Sequence, residues 1–252
     1  MVAETQNIIV QGASRGIGLA AVAQLLASRT SNCVFATSRK PHESEPLARL
    51  AKDNPGRLFV GPMDITSEDS VETAFSWVGQ HVAEVHGVYN FAGLLHGETV
   101  FPERRLEQVS GDSISKYFSV NATGPLLVAK YALPYISHGE RVVFASLSAR
   151  IGSIEDNRRG GWYGYRASKA AQNMFTKTLS IELARRAPKV ICIALHPGTV
   201  DSQLSKPFQR SVPPGGLFTV ERAAQQLLSI IDSVTAEETG HFFAWDRTKI
   251  PW

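Results

Sequence analysis

Short apolar runs alternate with segments of helical period along the whole chain, and this alternation limits the possible folds more than any other feature. Residues 7–11, 33–37, 58–61, 87–91, 140–146, 189–195 and 241–245 read as strands. Residues 15–29, 46–53, 66–85, 110–136, 163–186 and 219–234 read as helices, the fourth bent or broken near Gly124-Pro125. In the third, Thr66 serves as cap, and Val71, Ala74, Phe75, Val78, Val82 and Val85 share one face. The strands are apolar throughout rather than alternating, so both faces of the sheet must be covered. Right-handed crossovers then give a doubly wound α/β fold with a parallel sheet of about seven strands. Ligands of such sheets sit beyond the C-terminal strand ends, at the switch point. Function is therefore expected in the loops after strands one, two, four, five and six.

A chain of 252 residues suits one such domain. Net charge is +3, from 26 basic and 23 acidic side chains. The basic residues form only short groups such as Arg39-Lys40, Arg104-Arg105, Arg158-Arg159 and Arg185-Arg186. Without a long run, neither nucleic acid nor a membrane surface is indicated, whereas a small anionic ligand needs only two or three such groups. Cys33 and Cys192 each sit in an apolar run and read as core thiols; no spacing suggests a disulfide framework or a metal site. The N-terminal segment lacks a basic stretch followed by an apolar one, and no apolar stretch approaches the roughly 20 residues of a membrane span. The expectation is a soluble cytoplasmic protein acting on a small molecule.

Gly12-Ala13-Ser14-Arg15-Gly16-Ile17-Gly18 follows the first strand and opens the first helix. Glycines there let backbone approach a pyrophosphate at a helix N-terminus, where free N–H groups and the helix dipole favour anions. The spacing is GxxxGxG rather than GxGxxG, so the general dinucleotide fingerprint fits only partly. The same residues also satisfy G-x-S-x-G, the nucleophile elbow of a hydrolase, with Ser14 as nucleophile and His196 or His241 downstream. That reading gives no role to Gly18 and lacks the strands that precede an elbow.

A dinucleotide site tests the adenine ribose about twenty residues further on. Counting from Gly18 reaches Ser38, followed by Arg39 and Lys40. An acidic residue would accept from a 2′-hydroxyl; cations suit a 2′-phosphate instead. Arg39 can bind phosphate in bidentate fashion and Arg15 can approach from the glycine turn, which favours NADP over NAD.

Tyr163, Tyr165 and Lys169 lie in the fifth helix, residues 163–186. Residues i and i+4 share a face, so Tyr165 pairs with Lys169 and Tyr163 points elsewhere. A phenol titrates near ~10, and an adjacent ammonium lowers that value. Such a pair suits proton exchange in alcohol–carbonyl interconversion.

With the glycine turn, this pair makes the chain resemble the short-chain dehydrogenase/reductase family over nearly its whole length. The resemblance includes Asp64-Ile65, Asn90-Phe91-Ala92-Gly93, Asn121 and Pro197-Gly198. The stretches "GSIEDNRRGGWYGYRASKAAQNMFTKTLSIEL" and "LHPGTVDSQL" look most like the C-factor/sniffer-type carbonyl reductases. The resemblance implies a dinucleotide-binding part over about 1–140 and a catalytic and substrate part over about 141–252. It implies Tyr165 as acid/base and Lys169 as the residue that holds the nicotinamide ribose and tunes Tyr165. Asn121 would position a proton-relaying water, and Asp64, with Ile65 beside it, would contact adenine. Asn90, Ala92 and Gly93 would pass the adenosine ribose. Pro197, Gly198, Val200 and Ser202 would cover the nicotinamide. It also implies a homodimer or homotetramer through the helices at 110–136 and 163–186.

Phe91 stands where the family usually repeats Asn, which implies local repacking. A serine at the end of the fifth strand usually polarises the substrate carbonyl, and gapless alignment puts Ala149 there. Ser148 is the nearest hydroxyl. It serves only if the regular strand closes at Leu147 and the hydroxyl turns toward Tyr165, because side chains in a strand alternate faces. A cofactor-binding regulator with little catalysis stays open beside the enzyme. The substrate pocket is expected near residues 94–105, 150–162 and 199–218, with Leu94, Leu95, Trp162, Phe208, Leu217 and Phe218 as apolar candidates.

Overall fold

The computed structural model describes residues 6–28 and 32–252. Among them the strands are β1 (Asn7–Gln11), β2 (Cys33–Ser38), β3 (Leu58–Pro62), β4 (Gly87–Asn90), β5 (Val142–Leu147), β6 (Val190–His196), β7 (Thr199–Val200), β8 (Leu217–Phe218) and β9 (His241–Ala244). The helices are α1 (Gly16–Ser28), α2 (Glu45–Asp53), α3 (Glu68–Gly79), α4 (Gly111–Phe118), α5 (Gly124–Ile136), α6 (Tyr163–Arg186) and α7 (Val220–Ser233). Arg29, where the first helix was expected to end, lies outside the described residues, as does the start of the N-terminal segment.

Seven strands form one parallel sheet in the order β3-β2-β1-β4-β5-β6-β9, a doubly wound Rossmann-type fold. The order reverses between β1 and β4, which opens the crevice expected of such sheets. Register levels the strand ends: Gln11 pairs with Thr37 and Asn90, Asn90 with Ser146, and Ser146 with Ala194. The loops that follow these residues therefore emerge along one edge. Each face of the sheet carries its own apolar core. One is built with Val22 and Leu25 of α1 and Leu227 and Ile231 of α7, the other with Phe75 of α3, Val128 of α5 and Leu183 of α6. No helix among the described residues is long and apolar enough to cross a membrane.

Several local details differ from the sequence expectation, each for a visible reason. Thr66 does not cap α3. Its N–H and hydroxyl both donate to Asp64 Oδ1, at 3.0 and 2.7 Å, and Ser67 takes the cap by accepting from Ser70 N at 3.3 Å. The helix stops at Gly79, but Val82 and Val85 still pack on the core from the following turn, so the apolar period outlasts the helix. The long fourth helix is interrupted by a π-helical turn, Ser119–Thr123, which ends directly against the expected break at Gly124-Pro125. Gly124 then abuts Ile65, whose Cδ1 would lie 2.8 Å from an added methyl. Cys192 is buried and pushed up to about 12 by that burial, while Cys33 is only half-buried. The short β7–β8 ladder was not foreseen.

Candidate active site

Backbone contact fixes the glycine turn. Gly12 has φ +85, and a methyl group there would lie 2.6 Å from the Ala92 nitrogen. A methyl on Gly18 would stand 2.2 Å from the Gly12 carbonyl oxygen. Gly16, at φ +58, meets nothing within 4 Å. Gly12 and Gly18 are thus dictated by close backbone packing, and Gly16 by its left-handed conformation. Ser44, which caps α2, donates to Ser14 O at 2.6 Å and ties this turn to the next segment.

One cavity of about 1390 Å³ opens along the C-terminal strand edge. Gly12, Ser14, Arg15, Gly16, Ile17, Gly18, Ser38, Arg39, Asp64, Ile65, Ala92 and Gly93 line it. So do Ser148, Tyr165, Lys169, Pro197, Gly198, Val200 and Ser202. Asn90 and Asn121 do not. Both are buried behind the wall, with Asn90 Nδ2 donating to Ser146 Oγ at 3.3 Å. Of the apolar candidates, Leu95, Trp162, Phe208 and Phe218 line the cavity; Leu94 and Leu217 do not.

Asn121 sits in the π-helical turn, and its amide is fully used. Oδ1 accepts from Leu94 N at 2.8 Å, and Nδ2 donates to Leu94 O at 2.8 Å and Ser168 Oγ at 3.0 Å. It thereby binds the loop after β4 to α6.

The i, i+4 geometry separates the two tyrosines: Tyr165 is 6% exposed and Tyr163 44%. Tyr165 lies edge-on to Tyr117 and Trp162. Lys169 Nζ donates to Leu147 O at 2.8 Å and to Gln172 Oε1 at 2.9 Å. Burial raises Tyr165 well above the ordinary phenol value and pushes Lys169 down to about 7. The expected lowering of the phenol is therefore absent here: desolvation is its cause of shift, and the ammonium is directed at a carbonyl and an amide.

β5 closes at Leu147, as the sequence requires for Ser148 to leave the strand pattern. Its hydroxyl donates to Asn173 Oδ1 at 2.7 Å rather than toward Tyr165. Asn173 in turn donates from Nδ2 to Gly152 O at 3.3 Å. Sequence reasoning missed Asn173 and Gln172, although their helical spacing from Lys169 carries the signal. It also gave His196 no place in this cavity except as a partner of Ser14. His196 lines the cavity with a buried Nδ1 that has no partner, and burial with the Arg150 cation lowers it to about 4. No histidine bonds Ser14 among the described residues, and His241, at the start of β9, does not line the cavity. The hydrolase triad is not assembled.

Of the two cations after β2, Lys40 is paired with Glu43 at 2.7 Å, whereas Arg39 is exposed, unpaired and lines the cavity. Arg15 Nη1 donates to Gln203 Oε1 across the cleft. His96 Nε2 lies 3.0 Å from Gln203 O, so the loop after β6 is held from two sides.

Comparison with known proteins agrees with this arrangement. The short chain dehydrogenase family matches residues 6–212. A 1-hydroxy-2-glutathionyl-2-methyl-3-butene dehydrogenase from Rhodococcus sp. (strain AD45) is 32% identical over 192 residues, 75% of this chain and 78% of that protein. NADPH-bound carbonyl reductase from chicken fatty liver is 26% identical, with a TM-score of 0.87 over 99% of this chain and 100% of that one. Carbonyl reductase Sniffer of D. melanogaster is 25% identical, with a TM-score of 0.86 over the same shares. With its glycine turn, its parallel sheet and a family match over most of its length, the chain belongs to the short-chain dehydrogenases.

Proposed function

We propose that the chain is an NADPH-dependent carbonyl reductase that uses Tyr165 as its proton donor. The observation that carries this reading is the convergence of the glycine turn, Arg39, Tyr165 and Lys169 on one cavity. The residues present fit the cofactor. The Ser38 hydroxyl is buried without a partner, Arg39 is free, and the open side of Gly16 leaves room for a phosphate. Gly12–Gly18 would hold the pyrophosphate, Ser38, Arg39 and Arg15 the 2′-phosphate, and Asp64 with Ile65 the adenine. Asn90 would support Ala92 and Gly93 from behind, and Pro197, Gly198, Val200 and Ser202 would enclose the nicotinamide. When bound, NADPH supplies the hydride.

The chain's own residues supply the proton and hold the oxygen. Burial keeps Tyr165 a phenol at neutral pH, the form a reductase needs in order to donate to a carbonyl oxygen. Lys169, with a value of about 7, exchanges protons readily near neutrality, and donors beyond those it gives Leu147 and Gln172 suit a ribose hydroxyl. Asn121 fixes the height of the Leu94 loop against α6; its relay of protons through water is part of this proposal. Ser148 trades its bond to Asn173 for the carbonyl oxygen as negative charge develops there. The exchange is favourable because charge-assisted hydrogen bonds are roughly twice as strong as neutral ones.

Ser148→Ala should therefore lower kcat by about 10²-fold, the usual cost of removing one oxyanion donor. Ser146→Ala, one residue inside the strand and facing away, should change it little. Equal kcat in the parent and Ser148→Ala enzymes would leave Tyr165 as the sole donor.

Arg39→Asp should weaken NADPH by about 10- to 100-fold and relatively favour NADH, since it removes a charge-assisted phosphate contact and offers a carboxylate to a ribose hydroxyl. Fluorescence titration of both cofactors reads this directly. Equal affinity of the parent chain for NADPH and NADH would sink the assignment of Arg39. NADPH oxidation against a panel of ketones, aldehydes and quinones tests the whole reading: turnover supports it, and saturable cofactor binding with no turnover favours a regulatory protein. Exposed Leu126, Met174 and Ile181 on α5 and α6 offer the apolar surface for a homodimer or homotetramer.

A further inference from the structure

Five arginines line the cavity, and the cofactor accounts for two of them, Arg15 and Arg39. The other three, Arg104, Arg159 and Arg210, come from three separate segments: after β4, between β5 and α6, and between β7 and β8. All three are exposed, and among the described residues none makes a side-chain hydrogen bond or an ion pair. No acidic group is ion-paired to any of the three among the described residues, although Asp201 also lines the cavity. Asp201 accepts from Gln209 Nε2 at 2.9 Å, and Asp156 pairs with Arg150 at 3.5 Å. Glu103, next to Arg104 in sequence, is buried and turned inward, with Oε2 accepting from Gly164 N at 3.2 Å. A further cation crowds the same mouth. Arg166 braces the loop by donating to Gly161 O at 3.0 Å and Ile151 O at 3.2 Å, and burial together with the charge of Arg159 lowers its value.

Three cations that line one cavity without ion-pair partners outnumber the carboxylate of Asp201 beside them, and an anion entering from solvent offsets the excess positive charge. The rest of the wall there is apolar: Trp162 and Phe208 pack with ring centroids 4.8 Å apart, and Ala149 and Ile151 line the same cavity. We propose that the substrate is a carbonyl compound with an apolar or aromatic body and a carboxylate, the carboxylate being received by Arg104, Arg159 and Arg210. This rests on the carbonyl-reductase reading above and names its substrate class.

Para-formylbenzoate and its methyl ester are matched probes that share the aromatic aldehyde and differ in the charge and one methyl group. Calorimetric titration of the NADP-saturated protein should show the acid binding about tenfold more tightly than the ester, a gain of two to threefold per exposed ion pair. The preference should fade in about 0.5 M salt, where exposed charges are screened. Each of Arg104→Gln, Arg159→Gln and Arg210→Gln should lower the acid-to-ester ratio, and the triple variant should bring it to about one. Arg185→Gln, at the far end of α6, should leave the ratio as in the parent. Equal affinity for acid and ester in the parent, or a preference that survives in the triple variant, would overturn the carboxylate subsite even if both aldehydes oxidise NADPH. Preferential binding of the acid with no oxidation of NADPH by either probe would instead keep the subsite and overturn the reductase reading.

Discussion

Tyr165→Phe is expected to lose about 10³-fold in carbonyl turnover, within the range general acids contribute, and to bind NADPH within about twofold of the parent. Only one oxygen is removed. The ring stays wedged between Tyr117 and Trp162, so the cavity wall keeps its shape. The lost atom is the one group on this wall that is held protonated by burial and free to donate. Tyr163→Phe, on the exposed side of the same helix, should leave kcat within about twofold, as surface substitutions usually do. Steady-state kinetics with paired fluorescence titrations separate the two effects. If both variants lost activity alike, the face-sharing of Tyr165 and Lys169 would not be what organises catalysis.

Gly18→Ala should have the other large effect: cofactor affinity reduced by more than about 100-fold, with stability lowered by about 1–3 kcal/mol, the usual cost of overpacking. The added methyl would stand 2.2 Å from the Gly12 carbonyl oxygen, and Gly12 is itself pressed against Ala92. Relief therefore requires moving backbone in two loops at once. Gly16→Ala is the comparison: it meets no atom within 4 Å and bears only the left-handed backbone penalty, about 1–2 kcal/mol. Thermal melts and cofactor titrations of both variants check this. A Gly18→Ala chain that bound NADPH like the parent would mean that the turn accommodates a side chain there.

What could be read from the sequence was whatever depends on local period or local chemistry. Strand–helix alternation gave the sheet, and α6 began and ended where its period does. The failures came where groups compete over a distance. Thr66 and Ser67 are equivalent caps in sequence, and only the Asp64 carboxylate decides between them. The position of Ser148 outside the strand pattern was deducible from β5, but its partner was not, because Asn173 lies 25 residues away. The tuning of Tyr165 was misjudged for a similar reason. Spacing places an ammonium near a phenol but says nothing of how dry the site is, nor that Leu147 O and Gln172 engage the ammonium first.

The Asn121 amide and the Arg166 guanidinium have a joint mechanical consequence. One fastens the segment at Leu94 to α6, and the other fastens the segment between Ile151 and Gly161 to the same helix. Two of the three walls around the reacting centre are thus a single rigid jaw. The third, residues 201–213, meets them through fewer contacts, His96 Nε2 against Gln203 O and Phe208 against Trp162. Admitting a bulkier substrate falls to that wall alone. Substitutions along it can retune what enters while the placement of Tyr165 and Lys169 on α6 stays fixed, so this chain can change diet without moving that pair.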